Sequence, residues 1–244
     1  MKHLSKGVFA GVIVVTAIAT VGAWAAGSFN VKPQEFDPAK TFLVQAAWLH
    51  GLGCPTNASV AVYPATKPTT TYTACATGDA KDKQNEGLIL AKTGPTNNNA
   101  SATAELKDVK DTALTELGYD IRKPNSASDP RGSHCGAGAP RFDIVGQNGN
   151  LYFIGCTSPP ADSAVSEGAN SEWQRLRWGG SSPLMAFNAS NGFSLDNITG
   201  LKVKSISIVF DEGQDASPDN FGLAVLDNID VNTVLVGRGP TDAS

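Results

Sequence analysis

The sequence has few charged residues and few histidines, and both shortages limit the classes of function that the protein can have. Charged residues make up 17% of the 244 residues, with 19 Lys and Arg against 23 Asp and Glu. The formal net charge is −4, so the chain lacks the basic excess that a nucleic acid or an anionic membrane surface requires. We therefore expect no nucleic-acid partner. Of the three histidines, His3 lies at the extreme N-terminus, so any nucleophile would depend on His50 or His134 as its base.

Sequence motifs of hydrolases and of zinc sites are also missing. No G-x-S-x-G occurs, and "GGSSP" lacks the strand-turn-helix context of a nucleophile elbow. No C-x-x-C and no group of histidines supports zinc, although two histidines near cysteines keep zinc as an alternative to disulfides. Among the glutamates, Glu172 alone lies beside a tryptophan, so a pair of glycosidase carboxylates is not indicated. We predict no catalytic residue.

The N-terminal stretch "MKHLSKGVFAGVIVVTAIATVGAWAAG" has the pattern of a cleavable signal peptide. Lys2 and Lys6 precede an apolar run that ends at "AWA", a small-x-small cleavage signal. The run is shorter than the ~20 apolar residues of a spanning helix, so we favour cleavage after Ala25 over an uncleaved anchor. The chain then divides into a signal peptide, 1–25, and a single domain, 26–244. We expect secretion to an extracellular or periplasmic location, without a membrane span after cleavage.

Four cysteines follow the signal peptide and predict two disulfides, because thiols are oxidised in exported proteins. Of the three possible pairings we favour Cys54–Cys75 and Cys135–Cys156, which enclose loops of equal length. The run "RFDIVGQNGNLYFIGC" supports the second pair. It reads as a hairpin with a two-residue Asn-Gly turn, which would put Cys156 opposite Arg141. The Gly-rich "CGAGAP" lets the chain curl back from Cys135.

Short β-rich runs between turn residues predict an all-β fold. Examples of these runs are "ASVAVYPA", "GLILAKTGP", "EWQRLRWGG" and "KVKSISIVF". The stretch "ASATAELKDVKDTALTELGYDIR" fits either a short helix around 102–109 or two short strands. Together with the cysteines, the pattern predicts an antiparallel β-sandwich with at most a short helix.

An acidic loop in "SIVFDEGQDASPDNFGLAVLDNIDV" is the candidate metal site. Asp211, Asp215 and Asp219 supply carboxylate oxygens, which Ca²⁺ prefers, and nearby glycines allow tight turns. The spacing does not match an EF-hand, and a solvated loop between two strands is the alternative. Calcium is therefore the candidate cofactor.

The run "WQRLRW" is the candidate ligand-binding strand. Trp173, Arg175 and Arg177 share one face, and Leu176 and Trp178 share the other. A Trp ring stacks on sugars, and Arg offers forked donors to hydroxyls and carboxylates, so the first face suits carbohydrate. The alternative is a core strand whose arginines pair with acids.

Three stretches carry a resemblance to known proteins. They are "NEGLILAKTGPTNNNASATAELK", "LTELGYDIRK…SHCGAGAPRFDIV" and "KSISIVFDEGQDASPDNFGLAVLDNIDVN". They resemble secreted bacterial proteins of unassigned function. The third is also similar to the closing strands of jelly-roll domains, including carbohydrate-binding and concanavalin-like ones, where "LDNI" or "IDNV" is common. The resemblance implies a jelly-roll-like sandwich in which Asp227 and Asn228 are structural.

These observations favour a secreted, non-catalytic binding or cell-surface protein, with carbohydrate as the ligand and calcium as a stabilising ion. Two alternatives stay open. One is a structural, self-associating matrix protein in which sheet edges pair between copies. The other is a polysaccharide hydrolase.

Overall fold

The computed structural model describes most of the chain beyond the predicted signal peptide. The described residues are 28–54, 59–60, 70–71, 75, 77–94, 96, 99–123, 139–156, 158, 165–167, 173–211 and 222–240. The signal peptide, 1–25, lies outside them, so its cleavage stays a prediction. Among the described residues, no helix combines the length and apolarity needed to cross a membrane.

Within the described ranges, β-strands account for nearly all regular structure. They are β1 (Asn30–Phe36), β2 (Val44–Leu49), β3 (Ser59–Val60), β4 (Thr70–Thr71), β5 (Gly87–Lys92), β6 (Ser101–Lys107), β7 (Glu116–Arg122), β8 (Arg141–Gly146), β9 (Leu151–Gly155), β10 (Val165–Glu167), β11 (Trp173–Gly179), β12 (Met185–Asn188), β13 (Ser194–Asn197), β14 (Val203–Phe210), β15 (Gly222–Val231) and β16 (Val234–Val236). A 3₁₀ turn, Ala189–Asn191, joins β12 to β13.

All the described strands except β3 and β4 form two antiparallel sheets, and β3 pairs with β4 in a separate two-stranded sheet. The first sheet has the order β1-β6-β14-β8-β9-β12-β13, and the second has the order β10-β11-β7-β15-β5-β2, with β16 paired to β15. From β5 to β8 the chain alternates between the two sheets, as it does in a jelly roll. The predicted antiparallel sandwich is confirmed.

The core lies between the sheets and follows the period-two alternation of the strands. In β8, Phe142 and Ile144 face inward while the residues between them are partly exposed. Tyr119 of β7 and Trp178 of β11 meet Phe142 from the second sheet, with ring centroids 5.3–6.2 Å apart. The Tyr119 hydroxyl donates to the Pro140 carbonyl (2.8 Å), so this aromatic cluster buries no unpaired phenol.

One local prediction is decided by the structure and another differs from it. Of the two alternatives for "ASATAELKDVKDTALTELGYDIR", the structure has the two short strands, β6 and β7, and not the helix. The β8–β9 hairpin forms, but its register is one residue off the prediction, since Arg141 faces Gly155. Gly149 has a φ of 84° and donates to the Gly146 carbonyl (3.0 Å), which gives a three-residue loop in place of a two-residue turn.

The disulfide between Cys54 and Cys75 is present as predicted, with Cα atoms 6.0 Å apart. Cys156 is also disulfide-bonded. Its predicted partner, Cys135, lies outside the described residues.

Candidate functional site

The predicted ligand-binding strand, β11, lies in the second sheet with its tryptophan buried. Trp173 is 1% exposed and packs against the Cys54–Cys75 disulfide and Val225. The Arg122 guanidinium lies 5.7 Å from the centre of its ring. A sugar therefore cannot stack on Trp173, and this part of the prediction is wrong. The physical reason is the Cys54–Cys75 disulfide, which packs with Leu52 and Val225 around the ring.

Arg175 and Arg177 do share the outer face of β11, but carboxylates already engage them. Arg175 donates through Nε and Nη2 to Asp120, each at 2.8 Å, which is a bidentate pair. Arg177 lies 3.2 Å from Asp120 through Nη2 and 3.0 Å from Asp230 through Nε. The alternative interpretation, a strand whose arginines pair with acids, describes what the structure shows.

Asp227 and Asn228 form a bulge in β15, and their side chains accept hydrogen bonds from Cys54 and Asp79, which precede β5 in the chain. Asp227 accepts from the backbone amides of Cys54 and Asn228, both at 2.6 Å. Asn228, with a φ of 45°, donates to Asp120 (2.9 Å) and accepts from the Asp79 amide (3.0 Å). Burial raises the pKa of Asp227 well above its usual value, and burial raises the pKa of Asp230 to about 7. These contacts agree with the structural roles that the jelly-roll resemblance implies.

The outer face of the first sheet carries a row of side chains that are exposed or half-buried. The strand registers place one residue from each strand in line across the sheet. At the ordinary spacing between strands the row is roughly 30 Å long. In order from β1 to β13, its members are Lys32, Glu105, Ser207, Asp143, Phe153, Phe187 and Leu195.

An aromatic patch occupies the β9–β13 end of the row. We define it as Phe153, Phe187, Phe193, Met185 and Leu195. The exposed fractions are 37% for Phe187, 60% for Phe193, 56% for Leu195 and 38% for Met185, and the Phe153 and Phe193 rings lie 6.0 Å apart. Scattered single apolar residues are normal on a protein surface, but a contiguous patch marks an interaction site.

The middle of the row holds a central arginine cluster of Arg141, Asp143 and Asp211. Arg141 donates through Nε to Asp143 (3.0 Å) and through Nη1 to Asp211 (2.7 Å). Its guanidinium carbon lies 5.2 Å from the centre of the Phe153 ring, which couples the cluster to the aromatic patch. Burial raises the pKa of Asp143 to about 6, although Arg141 acts in the opposite direction.

A polar cavity of about 280 Å³ lies at the β1–β6–β14 end. We define it by Gln34, Thr103, Glu105, Ser205 and Ser207. Gln34 donates to Glu105 (3.1 Å), and the hydrogen bond from Lys107 lowers the pKa of that carboxyl. Within the described part of the chain, the Ser205 and Ser207 hydroxyls have no hydrogen-bond partner, so they are available to a ligand.

The predicted metal ligands are described only in part. Asp211 is buried and bonded to Arg141, which supplies a counter-charge without a metal. Asp215 and Asp219 lie outside the described residues, so calcium stays a prediction. One further group of possible ligand atoms, from Cys54, Cys75 and Asp120, is closed to metal because the two sulfurs form a disulfide.

Sequence reasoning missed the aromatic patch, although the strand pattern contained a sign of it. In "LYFIG", Tyr152 and Ile154 are inward, which leaves Phe153 on the outer face. In "MAFN", Ala186 is inward and Phe187 is outward. An apolar residue at the solvent-facing position of several neighbouring strands indicates a surface used for binding.

Comparison with known proteins yields two solved structures. No family model matches the chain, and no curated protein matches it. The family 11 carbohydrate-binding module of the cellulosomal cellulase Lic26A-Cel5E of Clostridium thermocellum matches with a TM-score of 0.39 and 14% identity, over 86% of this chain and 89% of that chain. The family 11 module from Clostridium thermocellum in complex with a β-1,3-1,4-mixed-linked tetrasaccharide matches with a TM-score of 0.38 and 15% identity, over 87% and 92%. Both TM-scores are low, and neither the fold nor the site described above rests on these matches.

Proposed function

We propose that this chain is a secreted, non-catalytic protein that binds an extended saccharide across the outer face of its first sheet. The observation that carries the proposal is the row of side chains on that face. It joins the aromatic patch, the central arginine cluster and the polar cavity on one face of the sheet. Secretion is part of the proposal and is supported by the N-terminal pattern that ends at "AWA".

The aromatic patch suits the apolar faces of sugar rings. A pyranose presents C–H groups on its faces, and an aromatic ring attracts them through its negative π-surface. Phe187 and Phe193 are exposed side chains outside the core, so the interior packing of the sandwich does not explain their size. Their apolar surface would be removed from water when a saccharide binds, which supplies a favourable free energy.

The remainder of the row suits the hydroxyl groups of the same saccharide. Ser205 and Ser207 can each donate and accept a hydrogen bond, and Glu105 can accept one. The row crosses seven strands, so a ligand that follows it must be long and must carry hydroxyls along its length. A linear oligosaccharide meets both conditions.

The central arginine cluster favours binding over hydrolysis. A glycosidase places two carboxyl groups on either side of the scissile bond, with a gap for the sugar. Here Asp143 and Asp211 both bond to Arg141, so one guanidinium occupies the space between the two carboxylates. We therefore expect no reducing-sugar release from any bound polysaccharide, and release that disappears in Asp143→Asn would favour the hydrolase alternative.

Self-association is the second candidate, and it rests on the edge of the first sheet. Strand β13 has a neighbour, β12, on one side among the described strands, and its Leu195 is 56% exposed. An exposed edge strand with apolar side chains is a template for pairing with another copy. Sizing by light scattering separates the candidates, since a monomer at all concentrations excludes this one.

The test of the proposal is affinity electrophoresis against soluble β-glucan, xylan and mannan, with a variant in the aromatic patch. Retardation of the wild type should weaken by about tenfold in Phe187→Ala, because aromatic anchors of an interface typically contribute more than about 1 kcal/mol. Phe42→Ala is the matched control, since Phe42 is 84% exposed in the β1–β2 connection. Absence of retardation on every polysaccharide, or an equal effect in the control, overturns the proposal.

A further inference from the structure

A second cavity lies at the side of the sandwich, where the edge strands of the two sheets meet. Its volume is about 600 Å³, within the usual ~300–1,000 Å³ range of small-molecule sites. Its walls come from β1, β2, the loop at 79–86 and the C-terminal segment at 238–240. Pro33 of β1 faces this cavity, whereas Lys32 lies in the row on the opposite side of the strand. The side cavity is therefore separate from the outer face of the first sheet.

Trp48 forms an apolar wall of the side cavity in a fixed orientation. Its indole Nε1 donates to the Val31 carbonyl (3.0 Å), which bridges β2 to β1. Gly239 lies directly against the ring, since a Cβ at that position would be 3.2 Å from Trp48 Cγ. The Gly239 amide donates to Glu86 Oε2 (2.8 Å), so the C-terminal segment is held to the loop at 79–86. Pro240 extends the apolar wall.

The loop at 79–86 directs two of its three acids, Asp79 and Asp82, toward its own backbone, whereas the third, Glu86, lines the cavity. Asp79 accepts from the Lys81 amide (2.8 Å). Asp82 accepts from the Gln84 and Glu86 amides at 3.1–3.2 Å. These bonds hold the carboxylates in the turn, as short polar side chains commonly do in loops.

The cations of the same region line the cavity. Within the described part of the chain, Lys81 and Lys83 form no ion pair with any carboxylate, although Lys83 Nζ donates to the Ala80 carbonyl (2.7 Å). Arg238 Nε is buried, makes no hydrogen bond, and lies 3.7 Å from Asp79 Oδ2. The His50 imidazole also lines the cavity, 3.8 Å from the Glu86 carboxylate. Three Lys and Arg side chains against this one carboxylate give the lining a local positive excess, whereas the whole chain carries a net charge of −4.

We propose that the side cavity binds a saccharide that bears a carboxylate, such as a hexuronate unit. The sugar ring would lie against Trp48 and the prolines, and its carboxylate would meet Lys81, Lys83 and Arg238. Charge-assisted hydrogen bonds from Lys and Arg are the strong contacts for a carboxylate, and an indole offers a large apolar face with a negative π-surface to a sugar ring. The inference goes beyond the proposed function, because it places a second ligand class at a second site.

The test is isothermal titration of the full chain with trigalacturonate, with the matching neutral trisaccharide and with inorganic phosphate. The wild type should bind trigalacturonate and neither of the other two. The double variant Lys81→Ala, Lys83→Ala should raise the dissociation constant by about tenfold, as expected from loss of charge-assisted hydrogen bonds. Both lysines are exposed, so the fold should persist, which a melting curve verifies.

Two controls make the result specific to the side cavity. Lys110→Ala with Lys204→Ala removes the same charge from exposed lysines that do not line the cavity, and it should leave the dissociation constant unchanged. Phe187→Ala should also leave it unchanged, although the same variant weakens binding on the outer face of the first sheet. No binding of trigalacturonate, equal binding of phosphate, or an equal loss in the lysine control would overturn the inference. A loss in Phe187→Ala would place the uronate on the outer face of the first sheet and overturn it as well.

Discussion

The ionisation of Asp143 should make the free energy of unfolding depend on pH, and the shifted pKa of this carboxyl sets the size of the effect. Asp143 is 21% exposed, and burial raises its pKa from 3.8 to about 6 against the opposing attraction of Arg141. The folded protein thus retains a proton that the unfolded chain releases, so this side chain's contribution to stability is lost as the pH rises through about 6. The shift corresponds to about 3 kcal/mol of unfolding free energy.

The substitution Asp143→Asn isolates this effect, because Asn has nearly the same shape and does not ionise. We expect the wild type to lose about 3 kcal/mol relative to the variant between about pH 3.5 and about pH 7. Urea unfolding at several pH values gives the difference directly. Other buried acids, such as Asp230, titrate in both proteins, so their contributions to the pH dependence cancel when the two unfolding free energies are subtracted.

The matched control is Asp108→Asn, which removes a carboxylate at an exposed turn outside the central arginine cluster. Asn tolerates the left-handed backbone there, where φ is 65°. The reasoning would be refuted if the difference in unfolding free energy between the wild type and Asp143→Asn did not change with pH. A difference that rises with pH would also refute it, since the ion pair with Arg141 would then outweigh burial.

Three further predictions concern stability. Asp120→Ala should lower the unfolding free energy by about 3–5 kcal/mol, because it leaves two arginines beside a buried site without their shared carboxylate; a loss below about 1 kcal/mol in urea would contradict this. Cys54→Ser with Cys75→Ser should cost about 3 kcal/mol by opening the loop, and an unchanged thermal midpoint would contradict this. If calcium binds at Asp211, Asp215 and Asp219, EDTA should lower the melting temperature and Ca²⁺ should restore it. A melting temperature that changes in neither condition would contradict the calcium prediction.

The sheets were predictable where their strands alternate between inward and outward residues, although a bulge between Val203 and Ser205 interrupts the alternation in β14. In "KVKSISIVF" the inward positions are Ile206, Ile208 and Phe210, which are all buried. The Asn-Gly pair also located the β8–β9 turn correctly. Its register was off by one residue, because "GQNGN" fits a two-residue and a three-residue loop equally well, and the backbone of Gly149 decides between them.

The site was harder to predict because burial on the outer faces depends on distant parts of the chain. The pattern in "WQRLRW" correctly placed Trp173, Arg175 and Arg177 on one face. Whether Trp173 meets solvent is decided by the Cys54–Cys75 disulfide, whose cysteines lie about a hundred positions earlier in the chain. On the first sheet no described segment covers Phe187, and its exposure follows from an arrangement of strands that alternation alone does not give.

The central claim is that a saccharide binds along the row on the outer face of the first sheet. NMR chemical-shift mapping of the full chain with the best polysaccharide fragment from the electrophoresis panel tests it most directly. The account predicts that the largest shifts fall on Phe153, Phe187 and Ser207, with little change at Arg175. Shifts confined to the second sheet around Arg175, or no shifts at saturating ligand, would contradict it.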